Sequence, residues 1–291
     1  MKTSSISPII KVPALAALLI RKKVKLIDAR VGADIKNVFQ QNHLTGAIHV
    51  DLERDMADKK PNAADGGRHP LLDIQKFAQL LGALGIDTTT HVVVYDDKNG
   101  ANAAARFWWM LKAVGHEKVQ VLDGGFQEAI EQGIPTSSVL KRYRHKSVYP
   151  ANSWQLPIAS MDEVEQAAQD PHFVVIDVRD AERYRGEKEP IDLIAGHIPG
   201  AINVPFSNNL DENGLFLSKE ALKKQYETVI ANRTSDKVIV HCGSGVTACH
   251  TLLAMAYAGF SEGTPTAEIP KLYVGSWSEW SRNDKEIGLG G

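Results

Sequence analysis

Cysteine is scarce in this chain: its 291 residues carry two, Cys242 and Cys249. They lie seven residues apart on what reads as one loop and helix, too far along a helix to bridge each other easily. Without a disulfide framework the chain reads as a reduced, cytoplasmic protein. Net charge is nearly absent too, since 33 Lys and Arg against 35 Asp and Glu leave −2. That gives no electrostatic reason to expect a nucleic-acid partner. Long hydrophobic runs are missing: no stretch reaches the roughly 18 apolar residues of a membrane span, so no membrane partner is expected. The apolar stretch Val12 to Ile20 is short, contains Pro13, lacks a small-residue cleavage signal and runs into Arg21-Lys22-Lys23. It reads as a first helix rather than a signal peptide.

What is present is globular. Hydrophobic residues make up 43% and charged residues 23% of a chain long enough for two cores. The two halves are also self-similar. In the first, Val24-Lys25-Leu26-Ile27-Asp28-Ala29-Arg30 is followed by His43 to Val50, His91 to Asp96, a helical run around Phe107 to Met110, and Val119 to Gly125. In the second, Val174 to Arg179 is followed by His197 to Val204, Val238 to Cys242, a helix to Ala258, and Leu272 to Ser276. Corresponding positions lie about 150 residues apart, one domain length. Short β-branched runs alternate with helical segments such as Leu71 to Leu84 and Lys219 to Ile230. The pattern predicts an α/β fold in tandem, each copy a mostly parallel sheet with helices on both faces. The expected division is 1–137, a linker over 138–157, and 158–291. The linker holds the basic cluster Lys141-Arg142-Tyr143-Arg144-His145-Lys146, read as a solvated face.

In such folds the site lies beyond the carboxyl ends of the strands. Cys242-Gly243-Ser244-Gly245-Val246-Thr247 stands there, after Lys237-Val238-Ile239-Val240-His241 and before the helical stretch from Ala248. Free amides and the helix dipole favour an anion at that position, so the Cys242 thiol is expected to titrate toward neutrality. Gly243 and Gly245 let the backbone curl around the sulfur. The aligned residue of the first half is Asp96, which cannot carry transferable sulfur; catalysis is expected in the second half only. A phosphatase with the same His-Cys strand end needs an arginine six residues after the cysteine, where this chain has Ala248. A carrier or docking unit without turnover remains a rival reading. Cys249 and the tryptophans Trp108, Trp109, Trp277 and Trp280 read as packing residues.

The active loop, the repeat, His197-Ile198-Pro199-Gly200-Ala201 and Gly275-Ser276-Trp277-Ser278-Glu279-Trp280 together resemble the two-domain sulfurtransferases of the rhodanese family, closest to the 3-mercaptopyruvate sulfurtransferases. The resemblance implies two rhodanese-like domains and ping-pong transfer through a Cys242 persulfide to a thiol or cyanide acceptor, thioredoxin-like in the family, with no cofactor or metal. Thiosulfate is the alternative donor. It also implies that Arg183 grips the donor carboxylate and that Ser244, His69 and Glu53 manage protons. Gly243, Gly245, Val246 and Thr247 would line the donor. Where such enzymes carry a second carboxylate-binding arginine after Glu-Pro, Glu189-Pro190 is followed here by Ile191, which leaves Arg185 as the possible second grip.

Overall fold

A computed structural model describes residues 6–21, 24–101, 103–140, 148–261 and 265–291. The basic cluster at 141–146 and Lys22-Lys23 lie outside the described residues. The chain forms two compact units: 1–56, 72–155 and 212–216 make up the first, and 57–71, 156–211 and 217–291 the second. The segment 57–71, which carries His69, thus belongs to the unit of Cys242.

In the first unit the strands are β1 (Ile9–Ile10), β2 (Lys25–Asp28), β3 (His43–Leu44), β4 (Ile48–His49), β5 (Val92–Tyr95), β6 (Val119–Leu122) and β7 (Thr136–Ser137). Its helices are α1 (Val12–Ile20), α2 (Ile35–Gln41), α3 (Leu52–Asp55), α4 (Ile74–Ala83), α5 (Ala103–Ala113) and α6 (Gly125–Glu131). The main sheet is parallel in the order β1-β6-β5-β2-β4, and β3 pairs antiparallel with β7. The second unit has strands β8 (Ile158–Ala159), β9 (Val174–Asp177), β10 (Ile202–Asn203), β11 (Val238–His241) and β12 (Lys271–Tyr273). Its helices are α7 (Met161–Gln169), α8 (Ala181–Tyr184), α9 (Lys219–Ile230), α10 (Ala248–Tyr257) and α11 (Ser276–Trp280). Its sheet, β10-β9-β11-β12-β8, is parallel throughout.

The repeat expected from the sequence extends to register. Asp28 pairs with Tyr95 as Asp177 pairs with His241, so Asp96 and Cys242 are the first residues past equivalent strand ends. Every residue of β5, β6, β9 and β11 is buried, as strands covered on both faces require. Leu15, Leu26, Leu44, Val93 and Leu122 centre the first core; Val164, Val175, Ile198, Ile239 and Trp277 centre the second. Helix starts follow capping chemistry. The Ser218 hydroxyl accepts from Ala221 N at 3.2 Å at the head of α9, and Asp73 accepts from Gln75 N at 2.9 Å at the head of α4. The cap at Asp73 explains why α4 begins at Ile74 and not at Leu71. No helix among the described residues is long and apolar enough to cross a membrane.

Candidate active site

The site forms where β11 ends. A buried ion pair sets its floor: Arg179 Nη2 lies 2.6 Å from Asp177 Oδ2, and the guanidinium carbon stands 4.7 Å from the Trp277 ring centroid. Burial alone would push the Asp177 carboxyl up, but the paired Arg179 holds it below the usual carboxylate range. Burial pushes the neighbouring His241 imidazole down, which keeps it neutral at pH 7. The first unit repeats the pair, with Arg30 Nη2 2.7 Å from Asp28 Oδ2.

From this floor the chain enters the loop. Cys242 is buried, and the Ser244 amide points at its sulfur with N to Sγ 3.5 Å. The segment 275–278 buttresses the loop from below. Ser276 Oγ accepts from Cys242 N at 3.2 Å, Trp277 N donates to Cys242 O at 3.0 Å, and Ser278 N donates to Gly243 O at 2.9 Å. Ser276 takes a positive φ of 54° to do so. Gly245 has φ 70°, and a Cβ there would lie 3.0 Å from Val274 Cα. Both facts demand glycine at that position. Val246 is buried, and Thr247 leads into α10.

The structure joins two of the residues assigned to proton handling. His69 Nδ1 and Ser244 Oγ share a hydrogen bond of 2.8 Å, both side chains being buried. Glu53 sits exposed on α3, in the first unit. Arg183 donates to Glu189 Oε1 at 2.7 Å and to Asp192 Oδ2 at 3.1 Å. Burial notwithstanding, Arg183 and the Asp192 and Ile191 amides hold the Glu189 carboxyl low. Arg185 instead pairs with Glu187 at 2.7 Å on the surface.

Sequence reasoning missed Arg68, Asp192 and Arg282. Arg68 Nε donates to Asp192 Oδ1 at 2.9 Å, and Arg282 Nη1 lies 3.5 Å from the same oxygen. The adjacency of Arg68 to His69 was the one signal available. Among the described residues no group of three or more His, Cys, Asp or Glu side chains could hold a metal ion. Neither cysteine is in a disulfide, and Cys249 Sγ donates to Gly245 O at 3.4 Å.

The first unit shows what the same strand end becomes without a thiol. Asp96 is fully buried, and its own carboxylate fills the place at the loop: it accepts from Lys98 N at 2.9 Å, Gly100 N at 2.8 Å and Ala104 N at 3.2 Å.

The profile of the Rhodanese-like domain matches residues 12–132 and 160–283. A probable 3-mercaptopyruvate sulfurtransferase of Pseudomonas aeruginosa is 38% identical over 275 residues, covering 91% of this chain and 92% of that one. A thiosulfate sulfurtransferase of Rattus norvegicus is 35% identical over 250 residues, covering 84% and 79%. Among solved structures, the 3-mercaptopyruvate sulfurtransferase from Leishmania major superposes with a TM-score of 0.79 at 26% identity, covering 94% of this chain and 74% of that one.

Proposed function

Given that the chain belongs to the Rhodanese-like domain family and is a sulfurtransferase, we propose that it takes sulfur from 3-mercaptopyruvate onto Cys242 and hands it to a thiol or cyanide. The Cys242 thiolate attacks the donor sulfur. The donor carbon–sulfur bond breaks, its electron pair leaves as the pyruvate enolate, and the proton of the donor thiol ends on the enolate carbon. The products are a Cys242 persulfide and pyruvate. An acceptor thiolate or cyanide then attacks the outer sulfur and restores the Cys242 thiolate.

The observation that carries the choice of donor is the 2.8 Å contact of His69 with Ser244, whose amide faces the Cys242 sulfur. Mercaptopyruvate brings a proton that must move from sulfur to carbon, and a hydroxyl and imidazole in hydrogen-bond contact can move it. Thiosulfate brings no such proton; it leaves sulfite directly. One observation favours thiosulfate as a second reading: Arg68 and Arg183 place guanidinium nitrogens near Gly243, where a compact dianion gains from cations.

The test is kcat/KM for both donors with cyanide as acceptor. Mercaptopyruvate is expected to lead by at least about tenfold, ~1.4 kcal/mol in the transition state. A lead for thiosulfate overturns the donor, and no turnover with either leaves a carrier. Cys242→Ser is expected to abolish transfer from both donors, and wild-type turnover in that variant overturns the persulfide route.

A further inference from the structure

Ile191 leaves the donor carboxylate with one grip, Arg183, because Arg185 pairs away at the surface. The second unit supplies another guanidinium from the segment 57–71. Arg68 is anchored by its backbone, whose N–H donates to Ser278 Oγ at 3.0 Å, on the same turn that buttresses the Cys242 loop. Its side chain makes a fork on Asp192, Nε to Oδ1 at 2.9 Å and Nη2 to Oδ2 at 3.3 Å. Arg183 Nη2 reaches the same Oδ2 at 3.1 Å. The Asp192 side chain is wholly buried, while those of Arg68 and Arg183 are 26% and 13% exposed. The carboxylate is therefore the base of the cluster, and the guanidiniums are its solvent-facing rim.

Gly243 shows where that rim points. A Cβ on it would meet Arg68 Nη2 at 2.9 Å, Asp192 Oδ2 at 3.4 Å and Arg183 Nη2 at 3.5 Å, so both forks, with the carboxylate oxygen that braces them, flank the residue next to Cys242. Nη1 of each makes no hydrogen bond among the described residues. Arg68, Arg179, Arg183 and Arg282 face Asp177, Glu189 and Asp192, which leaves one positive charge in excess within the ion-paired cluster. An incoming carboxylate would balance it.

We propose that Arg68 is the second guanidinium of the donor-carboxylate clamp, braced against Asp192 beside Arg183, and that it takes over the role left open at Ile191. The proposal rests on the donor being an α-keto carboxylate, as argued above. A planar fork suits a carboxylate, and a brace that fixes the fork in advance lowers the ordering cost of binding.

The test measures pyruvate release from 3-mercaptopyruvate by the wild type, Arg68→Gln and Arg68→Lys, with competitive inhibition by pyruvate and by its uncharged amide, pyruvamide. Arg68→Gln is expected to raise KM about 10- to 100-fold, the range for losing a hydrogen bond to a charged group, with kcat within about threefold. The pyruvate Ki rises in parallel, the pyruvamide Ki stays, and Arg68→Lys recovers part of the loss. An unchanged KM in Arg68→Gln overturns the clamp while leaving the donor reading intact. Equal losses for pyruvate and pyruvamide also overturn it, because Arg68 would then only support the loop. If Arg68→Gln does not fold, the inhibitor pair measured on Arg68→Lys decides, a selective rise in the pyruvate Ki supporting the clamp and its absence overturning it. A wild type that turns over thiosulfate but releases no pyruvate from mercaptopyruvate overturns the donor reading and the clamp with it.

Discussion

On the proposed route through a Cys242 persulfide, the Ser244 hydroxyl and the Ser244 amide do different work at the sulfur. The amide, at 3.5 Å from Sγ, offers a hydrogen bond to a thiolate or persulfide whatever the donor. The hydroxyl, at 2.8 Å from His69 Nδ1, matters only where a proton moves. Ser244→Ala removes one and keeps the other. It is expected to lower kcat with mercaptopyruvate by about 10²- to 10³-fold, within the range of acid–base catalysis, and to leave thiosulfate turnover within about threefold. Equal losses with the two donors would assign Ser244 to holding the loop alone. Asp96 makes the contrast at the matching strand end: burial pushes its carboxyl up, and three backbone amides oppose that push.

At the scale of elements, the loop between β11 and α10 cannot hold itself. Its two carbonyls at Cys242 and Gly243 are closed by the amides of Trp277 and Ser278, which gives the sequence segment Gly275 to Ser278 a mechanical reason. Gly245 is where the two segments press together. Gly245→Ala puts a methyl against the Val274 backbone at a φ that L residues rarely take, and is expected to destabilise the second unit by about 1–3 kcal/mol. Thermal melts and kcat together check this: a variant with wild-type melting and turnover would mean that the loop yields without cost. Two helices were legible at both ends, whereas α4 begins at Ile74 rather than at Leu71. Val12–Ile20 and Lys219–Ile230 coincide with the expected helices, because period and flanking punctuation both lie within a few residues. The two-residue edge strands Ile9–Ile10 and Ile158–Ala159 were not legible, since a pair of residues carries no periodicity.

For the molecule as a whole, acid is the expected weakness. Burial lowers His116 in the first unit and His241 in the second below the ordinary value of 6.5. Below that pH the unfolded chain binds a proton at each that the folded chain refuses. Stability therefore falls as pH drops from about 6.5 toward the folded values, by up to about 1.4 kcal/mol per pH unit for each histidine. Urea unfolding between pH 7.5 and 5 measures the slope, and His116→Gln and His241→Gln should each flatten it. A slope unchanged in both variants would place the acid lability elsewhere. Asp96 works in the opposite sense: its raised carboxyl loses stability as pH rises through its window above 3.8, so it cannot be the source.

The sequence by itself determined the repeat, the parallel α/β plan, and the placement of a thiol at one strand end and of Asp96 at the equivalent end of the other half. These follow from apolar periodicity and residue identity, which act over a few residues. Only the tertiary structure decided what surrounds the thiol. His69 meets Ser244 across 175 positions of chain, and Arg68 meets Asp192 across 124. Such meetings depend on sheet register and on which compact unit claims the segment 57–71. No local preference encodes them, and for that reason Arg68 stayed unread beside a histidine that was singled out.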